Sequence, residues 1–331
     1  MKHIVRIAGV AGLLAVADGQ AQAVVLTGPD SNDGNYSSAN LAGIATAGDT
    51  VNDGTVTGIS LWGLLGGATG GITTSTPAGD NSKNAILRYY LLATGAGGQQ
   101  SVVSLGEINP SFGGTAALPD FVAYQATGGG LLATPELVVP GAPGRDVADL
   151  TSLQLLSAPA APNGPGGEST SVQLTGAVAN PGSYLLTTLQ NDFTPVTETI
   201  SGDHYTGVPL WTFLDATNGN VTDKIVITQG TDGYEVVLSL AELDPALGGN
   251  PQDLLPYADT GTDFPNDGVA RTIFPSDNKH GRWESNLDFV EVTNAPEPAS
   301  LTLLGIGMMT TVAFHRRRKF GAAAAGQNDG C

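Results

Sequence analysis

The sequence predicts an α+β protein that is mostly β-strand and is built from two tandem copies of one unit, and three observations predict it. Glycine (46) and proline (20) make up one fifth of the 331 residues, a composition that favours short strands and turns over long helices. Hydrophobic residues make up 41 %, which is enough for a folded core. Blocks of sequence also recur in the same order in the two halves of the chain.

Residues 1–23 are predicted to be a secretory signal peptide. Lys2 and Arg6 provide a positively charged start, and the apolar run that follows them is too short to span a bilayer. Ala21 and Ala23 are the small residues that signal peptidase reads, so they are the predicted cleavage-site residues. The alternative interpretation of this stretch is a buried first helix.

The body of the chain is predicted to be a duplication. The first repeat is placed at 24–157 and the second at 171–294, separated by a Pro/Gly linker at 158–170 that cannot hold a helix or a central strand. The recurring blocks are Val25–Gly28 with Gln173–Gly176, Val56–Trp62 with Tyr205–Trp211, Ser104–Pro110 with Ser239–Pro245, Phe112–Gly114 with Leu247–Gly249, and Val138–Pro140 with Ile273–Pro275.

Local patterns predict the elements of the second repeat. Two runs rich in Val and Ile flank Asp232-Gly233, a dipeptide that supplies the backbone freedom of a hairpin turn. The predicted strands are 224–228, 235–240, 272–274 and 287–292, and the predicted short helices are 210–216 and 240–243, the second ended by Pro245.

The C-terminal segment has three parts in a fixed order. Pro296-Glu297-Pro298 is followed by an apolar stretch at 299–314 and then by His315, Arg316, Arg317, Arg318 and Lys319. Residues 295–320 therefore resemble the PEP-CTERM sorting signal, followed by a tail at 321–331. The alternative is a plain single-span anchor.

The PEP-CTERM resemblance implies a route out of the cell. It implies export by a Gram-negative bacterium, with signal peptidase and an exosortase as partners. The chain would be held transiently in the membrane through 299–314, a transmembrane helix with its basic end on the cytoplasmic side. It would then be released to the cell surface or to the extracellular (biofilm) matrix.

Charge and cysteine content limit the function classes. Residues 24–294 contain seven Lys and Arg residues against 28 Asp and Glu residues, a net charge of −21. Such an acidic body is not suited to nucleic acid, whose phosphates need clustered cations, but it can attract divalent cations. The single cysteine, Cys331, excludes an internal disulfide and a thiolate zinc cluster.

Segments of the second repeat resemble the oxidoreductase molybdopterin-binding domain, which has the sulfite-oxidase-like fold. The resemblance covers about 172–293, and the first repeat is similar to a divergent copy. The matching segments are Leu174–Gly182, Tyr205–Trp211, Gly230–Tyr234, Arg271–Pro275 and His280–Trp283.

This second resemblance implies a molybdopterin cofactor, with molybdenum held by a cysteine thiolate. Residues 24–294 contain no cysteine, so no cofactor is expected, and molybdopterin stays open as an alternative. The candidate residues for a pterin phosphate are His204, Arg271, His280 and Arg282. The alternative is that all four are surface residues paired with carboxylates.

The remaining candidate sites have simpler explanations. The oxygen-rich segment 30–35 could hold calcium or be a plain turn, and Asp259, Asp263 and Asp267 are assigned to a solvated loop. His204 follows Asp203, but no nucleophile motif is present to use it as a base. The three tryptophans could stack on sugars or pack in the core; they are Trp62, Trp211 and Trp283.

Three functions follow from these patterns. The first is an exported surface or matrix protein, non-catalytic, that binds a ligand or acts structurally. The second is a molybdopterin-dependent oxidoreductase, or its partner subunit, in the periplasm or envelope. The third is an exopolysaccharide-binding module. No catalytic residue and no metal ligand is assigned.

Overall fold

The structure is a computed structural model that describes residues 22–28, 32–66, 84–114, 117–159, 164–216, 220–260, 262–263 and 268–296. The predicted signal peptide up to residue 21 and the sorting segment beyond Pro296 lie outside the described residues. The chain forms two compact units, Met1–Thr293 and Asn294–Cys331. All the features below belong to the first unit, apart from the last residue of the final strand.

The first half of this unit contains nine strands and three short helices among its described residues. The strands are β1 (Val24–Thr27), β2 (Gly34–Tyr36), β3 (Thr50–Asn52), β4 (Val56–Ser60), β5 (Tyr89–Gly95), β6 (Gln100–Ser104), β7 (Phe121–Ala126), β8 (Leu131–Val138) and β9 (Leu150–Ser157). The helices are α1 (Ser38–Ile44), α2 (Leu61–Leu64) and α3 (Leu105–Ile108), and single 3-10 turns lie at Ala85–Arg88 and Pro143–Arg145.

The second half contains the same number of each among its described residues. The strands are β10 (Val172–Gly176), β11 (Gly182–Tyr184), β12 (Val196–Ile200), β13 (Asp203–Pro209), β14 (Lys224–Gly230), β15 (Glu235–Ser239), β16 (Leu254–Asp259), β17 (Thr262–Asp263) and β18 (Leu287–Asn294). The helices are α4 (Leu186–Asp192), α5 (Leu210–Leu214) and α6 (Leu240–Leu243), with 3-10 turns at Pro245–Leu247 and His280–Arg282. The fold is therefore α+β and mostly sheet, as predicted.

The two halves have corresponding sheets. The five-stranded sheets have the orders β2-β1-β9-β5-β6 and β11-β10-β18-β14-β15, and the four-stranded sheets β3-β4-β7-β8 and β12-β13-β16-β17. In each half the first strand pairs in parallel with the last, β1 with β9 and β10 with β18. Each half also has a hydrophobic core formed by residues of both its sheets.

One recurring sequence block has a clear structural reason. The register shifts between Thr57 and Gly58 where β4 pairs with β7, and between Thr206 and Gly207 where β13 pairs with β16. A Cβ on Gly58 would lie 2.4 Å from a backbone oxygen of the facing strand, and one on Gly207 would lie 2.2 Å from the oxygen of Leu255. The bulge therefore requires glycine in both halves.

Several predicted elements of the second half are confirmed and one is wrong. The hairpin is formed by β14 and β15, and the predicted helices are α5 and α6. Helix α5 ends earlier than predicted because Asp215 takes a left-handed conformation, with φ of 36°. The predicted strand at 272–274 is only an isolated bridge between Ile273 and Leu254, because the Thr272 N–H donates instead to the oxygen of Glu284.

The predicted linker packs against the second half. Its described part, 164–170, contains no helix or strand, in agreement with the Pro/Gly pattern. The Gly166 N–H donates to the oxygen of Thr231 at 2.8 Å, and the hydroxyl of the buried Ser169 accepts from the Val269 N–H at 3.0 Å.

Candidate functional site

The two halves meet along the edge strands of their five-stranded sheets, β6 and β15, at what we call the junction. The Val102 N–H of β6 donates to the oxygen of Thr222 at 2.7 Å, and the Thr222 hydroxyl donates to the oxygen of Gln100 at 2.7 Å. The Asn278 N–H donates to the oxygen of Phe112 at 3.2 Å. Backbone bonds therefore tie the halves together from both sides.

Contacts at the junction are reciprocal. A Cβ on Gly281 of the second half would lie 2.1 Å from the ring of Phe112 in the first half. A Cβ on Gly144 would lie 2.6 Å from a methyl group of Leu247 in the second half. Phe112 and Leu247 occupy matched positions of one recurring block. Each half therefore contacts the other through the equivalent residue, as the subunits of an isologous dimer do.

Arg282 lies inside the junction with its side chain only 7 % exposed. Its guanidinium donates twice to Asp277, at 2.9 and 2.5 Å, and once to Glu242, at 3.2 Å. The guanidinium carbon also lies 4.4 Å from the centre of the Phe274 ring. A buried cation with two hydrogen-bonded carboxylate partners is typical of a structural ion-pair network.

Arg145 occupies the equivalent place in the first half. Its side chain is 3 % exposed and forms a two-pronged pair with Glu107, at 2.5 and 2.8 Å. It also donates to the oxygen of Val102, the residue whose N–H crosses the junction. Each arginine follows a glycine within a 3-10 turn and therefore reaches the junction by the same route.

The carboxylates around the two arginines also correspond. Ser104 caps α3 by accepting from the Glu107 N–H at 3.1 Å, and at the matched position of α6 Glu242 accepts from the Ser239 N–H at 2.9 Å. Asp120 accepts the first N–H of α2 through its backbone oxygen at 2.8 Å, and Asp253 does the same for α5 at 2.8 Å. One bond joins the two sets, because the Ser104 hydroxyl donates to Glu242 at 3.0 Å.

Burial changes the ionisation of these acids. Burial, followed by repulsion from Glu107, raises the pKa of Asp120 to about 8. The same two causes raise the pKa of Glu242 to about 7, although Arg282 and Arg145 oppose them. Burial also raises the pKa of Asp253 well above its usual range. The junction can therefore hold protons at neutral pH.

The structure places the four predicted cofactor-binding residues in different surroundings. His204 is exposed on β13, with its Nδ1 2.9 Å from the Thr199 hydroxyl. Exposed His280 stacks on the Trp283 ring, with centroids 3.7 Å apart and planes at 7°, and the Arg271 guanidinium carbon lies 5.9 Å from the same ring. Arg282 is turned into the junction instead.

The tryptophans lie mainly in the core. Trp62 and Trp211 are half-buried and pack against the cores of their respective halves. Trp283 is 7 % exposed, donates its indole N–H to the oxygen of Phe274 at 3.1 Å, and is covered by His280 on one face. The packing explanation of these residues is confirmed.

The candidate cation sites of the sequence lie only partly within the described residues. Residues 30 and 31 of the oxygen-rich turn lie outside the described residues, as does Asp267. Asp259 and Asp263 lie on the paired strands β16 and β17, so their assignment to a loop is wrong. Within the described ranges no group of three or more His, Cys, Asp or Glu side chains is placed to hold a metal ion.

The sorting segment is the part of the chain with a known counterpart. Residues 294–318 match the PEP-CTERM protein-sorting motif. The chain is an exported protein that an exosortase sorts to the cell surface. No curated protein matches the chain.

This PEP-CTERM motif begins at Asn294, the last residue of β18. Pro296, Glu297, Pro298, Arg316, Arg317 and Arg318, the predicted sorting residues, all lie within the matched range. No helix in the described part of the chain is long and apolar enough to cross a membrane, and the predicted span at 299–314 lies outside that part.

Sequence reasoning missed most of the junction. Glu107, Asp120, Arg145, Glu242 and Asp253 were not predicted as site residues. The sequence does contain a pattern that could have indicated these residues. Ser104–Pro110 and Ser239–Pro245 recur with their Ser and Glu at matched positions. Each half also contains one Gly-Arg pair within a 3-10 turn, at 144–145 and 281–282.

Proposed function

We propose that this exported protein is a non-catalytic component of the cell surface, whose body of two related copies acts structurally and holds no redox cofactor. One observation carries the proposal. Arg282, one of the four candidate residues for a pterin phosphate, is buried against Asp277 and Glu242. A phosphate could reach it only by displacing both carboxylates from a buried network.

The chemistry of the remaining residues supports the same proposal. A molybdenum centre of the sulfite-oxidase type needs a soft thiolate ligand, and residues 24–294 contain no cysteine. His204 lies on a four-stranded sheet and is bonded to Thr199. Arg271 and His280 both lie beside the Trp283 ring, which is where these two residues could together hold an anion.

The geometry gives less support to the two alternative functions. A molybdopterin oxidoreductase, or its partner subunit, would have to bind its cofactor without Arg282. An exopolysaccharide-binding module that stacked sugars on Trp283 would first have to move His280 off the ring.

The test uses the full chain purified from the envelope of a host that makes molybdopterin. Molybdenum content and oxidised-pterin fluorescence are measured on the same folded sample, and we expect both at background. The matched control replaces the two remaining candidates together, as Arg271→Ala with His280→Ala. Stoichiometric molybdenum and pterin in the wild type, lost in the double variant, would overturn the proposal and place the cofactor beside Trp283.

A further inference from the structure

The junction contains more acidic than basic groups. Its two guanidiniums, from Arg145 and Arg282, face five carboxyl groups that are buried or nearly so. These carboxyl groups come from both halves and belong to Glu107, Asp120, Glu242, Asp253 and Asp277. Five ionised acids cannot be neutralised by two cations, and an unbalanced charge in a dry interface is costly.

Each element packed against the junction contributes charges of known identity. Asp120, before β7, faces Glu107 of α3, Arg145 and Asp146 of the 3-10 turn region, and Glu242 of α6. Glu242 faces Glu107, Arg282 and Arg145, as well as the hydroxyl of Ser104. Asp253, before β16, faces Arg282, Glu242 and Asp277.

Hydrogen bonding singles out Asp120 among these acids. Glu242, which connects the halves, accepts from both Ser104 and Arg282, so the excess of acids over cations, and not a missing donor, is the reason for its proton. The Oδ2 atom of Asp120 is buried, and within the described ranges it has no hydrogen-bonding partner. An ionised oxygen without a donor would lose its hydration and gain nothing in return, so this carboxyl group is favoured in its neutral form.

We propose that closure of the junction depends on protonation. Asp120 and Glu242 are protonated while the two halves are in contact, and they release their protons when the junction opens. An exported protein is exposed to the pH outside the cell. A low external pH would therefore stabilise the closed junction, and a high pH would favour its opening. This role is independent of whether the body also binds a ligand.

The direction of the pH effect follows from linkage. The pKa of Asp120 is about 8 in the closed junction against 3.8 normally, and that of Glu242 is about 7 against 4.5. Between these limits the open junction binds fewer protons than the closed one, so raising the pH favours opening. The junction is tightest below about pH 4.5, weakens as the pH rises to about 8, and changes little above that value.

Hydrogen–deuterium exchange of the full chain tests this proposal directly. The amides of Val102 and Asn278 donate across the junction, whereas the amide of Gly230 donates to the oxygen of Tyr234 within the β14–β15 hairpin. Protection is measured by mass spectrometry from pH 5 to 8 and corrected for the pH dependence of free amides. We expect junction protection to fall about tenfold per pH unit for each proton released, with a smaller fall at Gly230.

The deciding variant is Asp120→Asn, which has the shape of a protonated aspartate but cannot ionise. It should reduce the pH slope of junction protection by about tenfold per unit, whereas Asp203→Asn, at an exposed position, should keep the wild-type slope. If Asp120→Asn does not fold, Glu242→Gln tests the other acid of the proposal and should reduce the slope in the same way. An unchanged slope in the folded variant, or equal slopes at Val102 and Gly230 in the wild type, would overturn the proposal.

Discussion

The first and second halves of the body each place one arginine at an equivalent position in the junction, but the groups around the two arginines differ. Arg145 pairs with one carboxylate, Glu107, whose side chain is 17 % exposed. Arg282 pairs with two carboxylates, Glu242 and Asp277, which are 8 % and 0 % exposed, and it also packs on an aromatic ring. The second half therefore carries the more deeply buried part of the network.

This difference indicates which half depends more on the other. Glu242 of the second half is bonded by Ser104 of the first, whereas the bonds of Glu107 that define its pair stay within the first half. Leu87 and Phe112 of the first half also belong to the core of the second. The second half is thus completed by residues of the first, and substitutions can measure this asymmetry.

The largest effect is expected at the arginines. Arg282→Met leaves Glu242 and Asp277 buried without a cation and should lower the free energy of unfolding by about 3–5 kcal/mol. Arg145→Met leaves one hydrogen-bonded carboxylate, the more exposed Glu107, without its cation and should cost about 1–3 kcal/mol. Urea denaturation of the full chain at pH 7 measures both.

Lys279→Met is the control for this pair, because Lys279 is exposed and adjoins the turn that carries Arg282. It should change stability by less than about 0.5 kcal/mol. Equal losses for the two arginine variants would contradict the asymmetry and make the halves energetically equivalent.

The next effect concerns the reciprocal contacts. Phe112 is 5 % exposed and packs in the core of the second half, so Phe112→Ala should cost about 3–5 kcal/mol. Leu247 makes the equivalent contact on Gly144 but is only half-buried, so Leu247→Ala should cost about 1 kcal/mol. Thermal unfolding of the two variants, compared with wild type, gives the order. A larger loss for the leucine variant would reverse the direction of dependence.

Local features of this fold could be predicted from sequence, whereas the junction could not. The β14–β15 turn and helix α6 are encoded by Asp232-Gly233 and by the residues that end at Pro245, within a few positions. The junction joins residues 138 positions apart, as in the Ser104–Glu242 bond, and depends on which sheet edges meet. Sequence left Arg282 open between an anion site and a surface ion pair, because it could not show that the pairs with Asp277 and Glu242 are buried.

One position separates the two halves more sharply than the arginines do. Val147 of the first half bridges Leu137, and Glu284 of the second half bonds Thr272 in the same place of the fold. Val147 is fully buried and apolar, whereas Glu284 is 1 % exposed and acidic. Burial raises the pKa of Glu284 well above its usual range, and nearby Asp232 and Glu235 add to the increase. At this position the second half therefore has a buried acid, whereas the first half has an apolar residue.

Glu284→Val gives the second half the residue of the first and yields the smallest of the three effects, with the opposite sign. Because the folded state must keep Glu284 protonated, its cost grows as the pH rises above the ordinary pKa of a glutamate. The variant should therefore be more stable than wild type by about 1–3 kcal/mol at pH 8 and by less at pH 5. Urea denaturation at both pH values measures this, with the exposed Asp203→Asn as control. A loss of stability at pH 8 would mean that the carboxyl group makes bonds that valine cannot replace, and that the two halves diverged here for a structural gain.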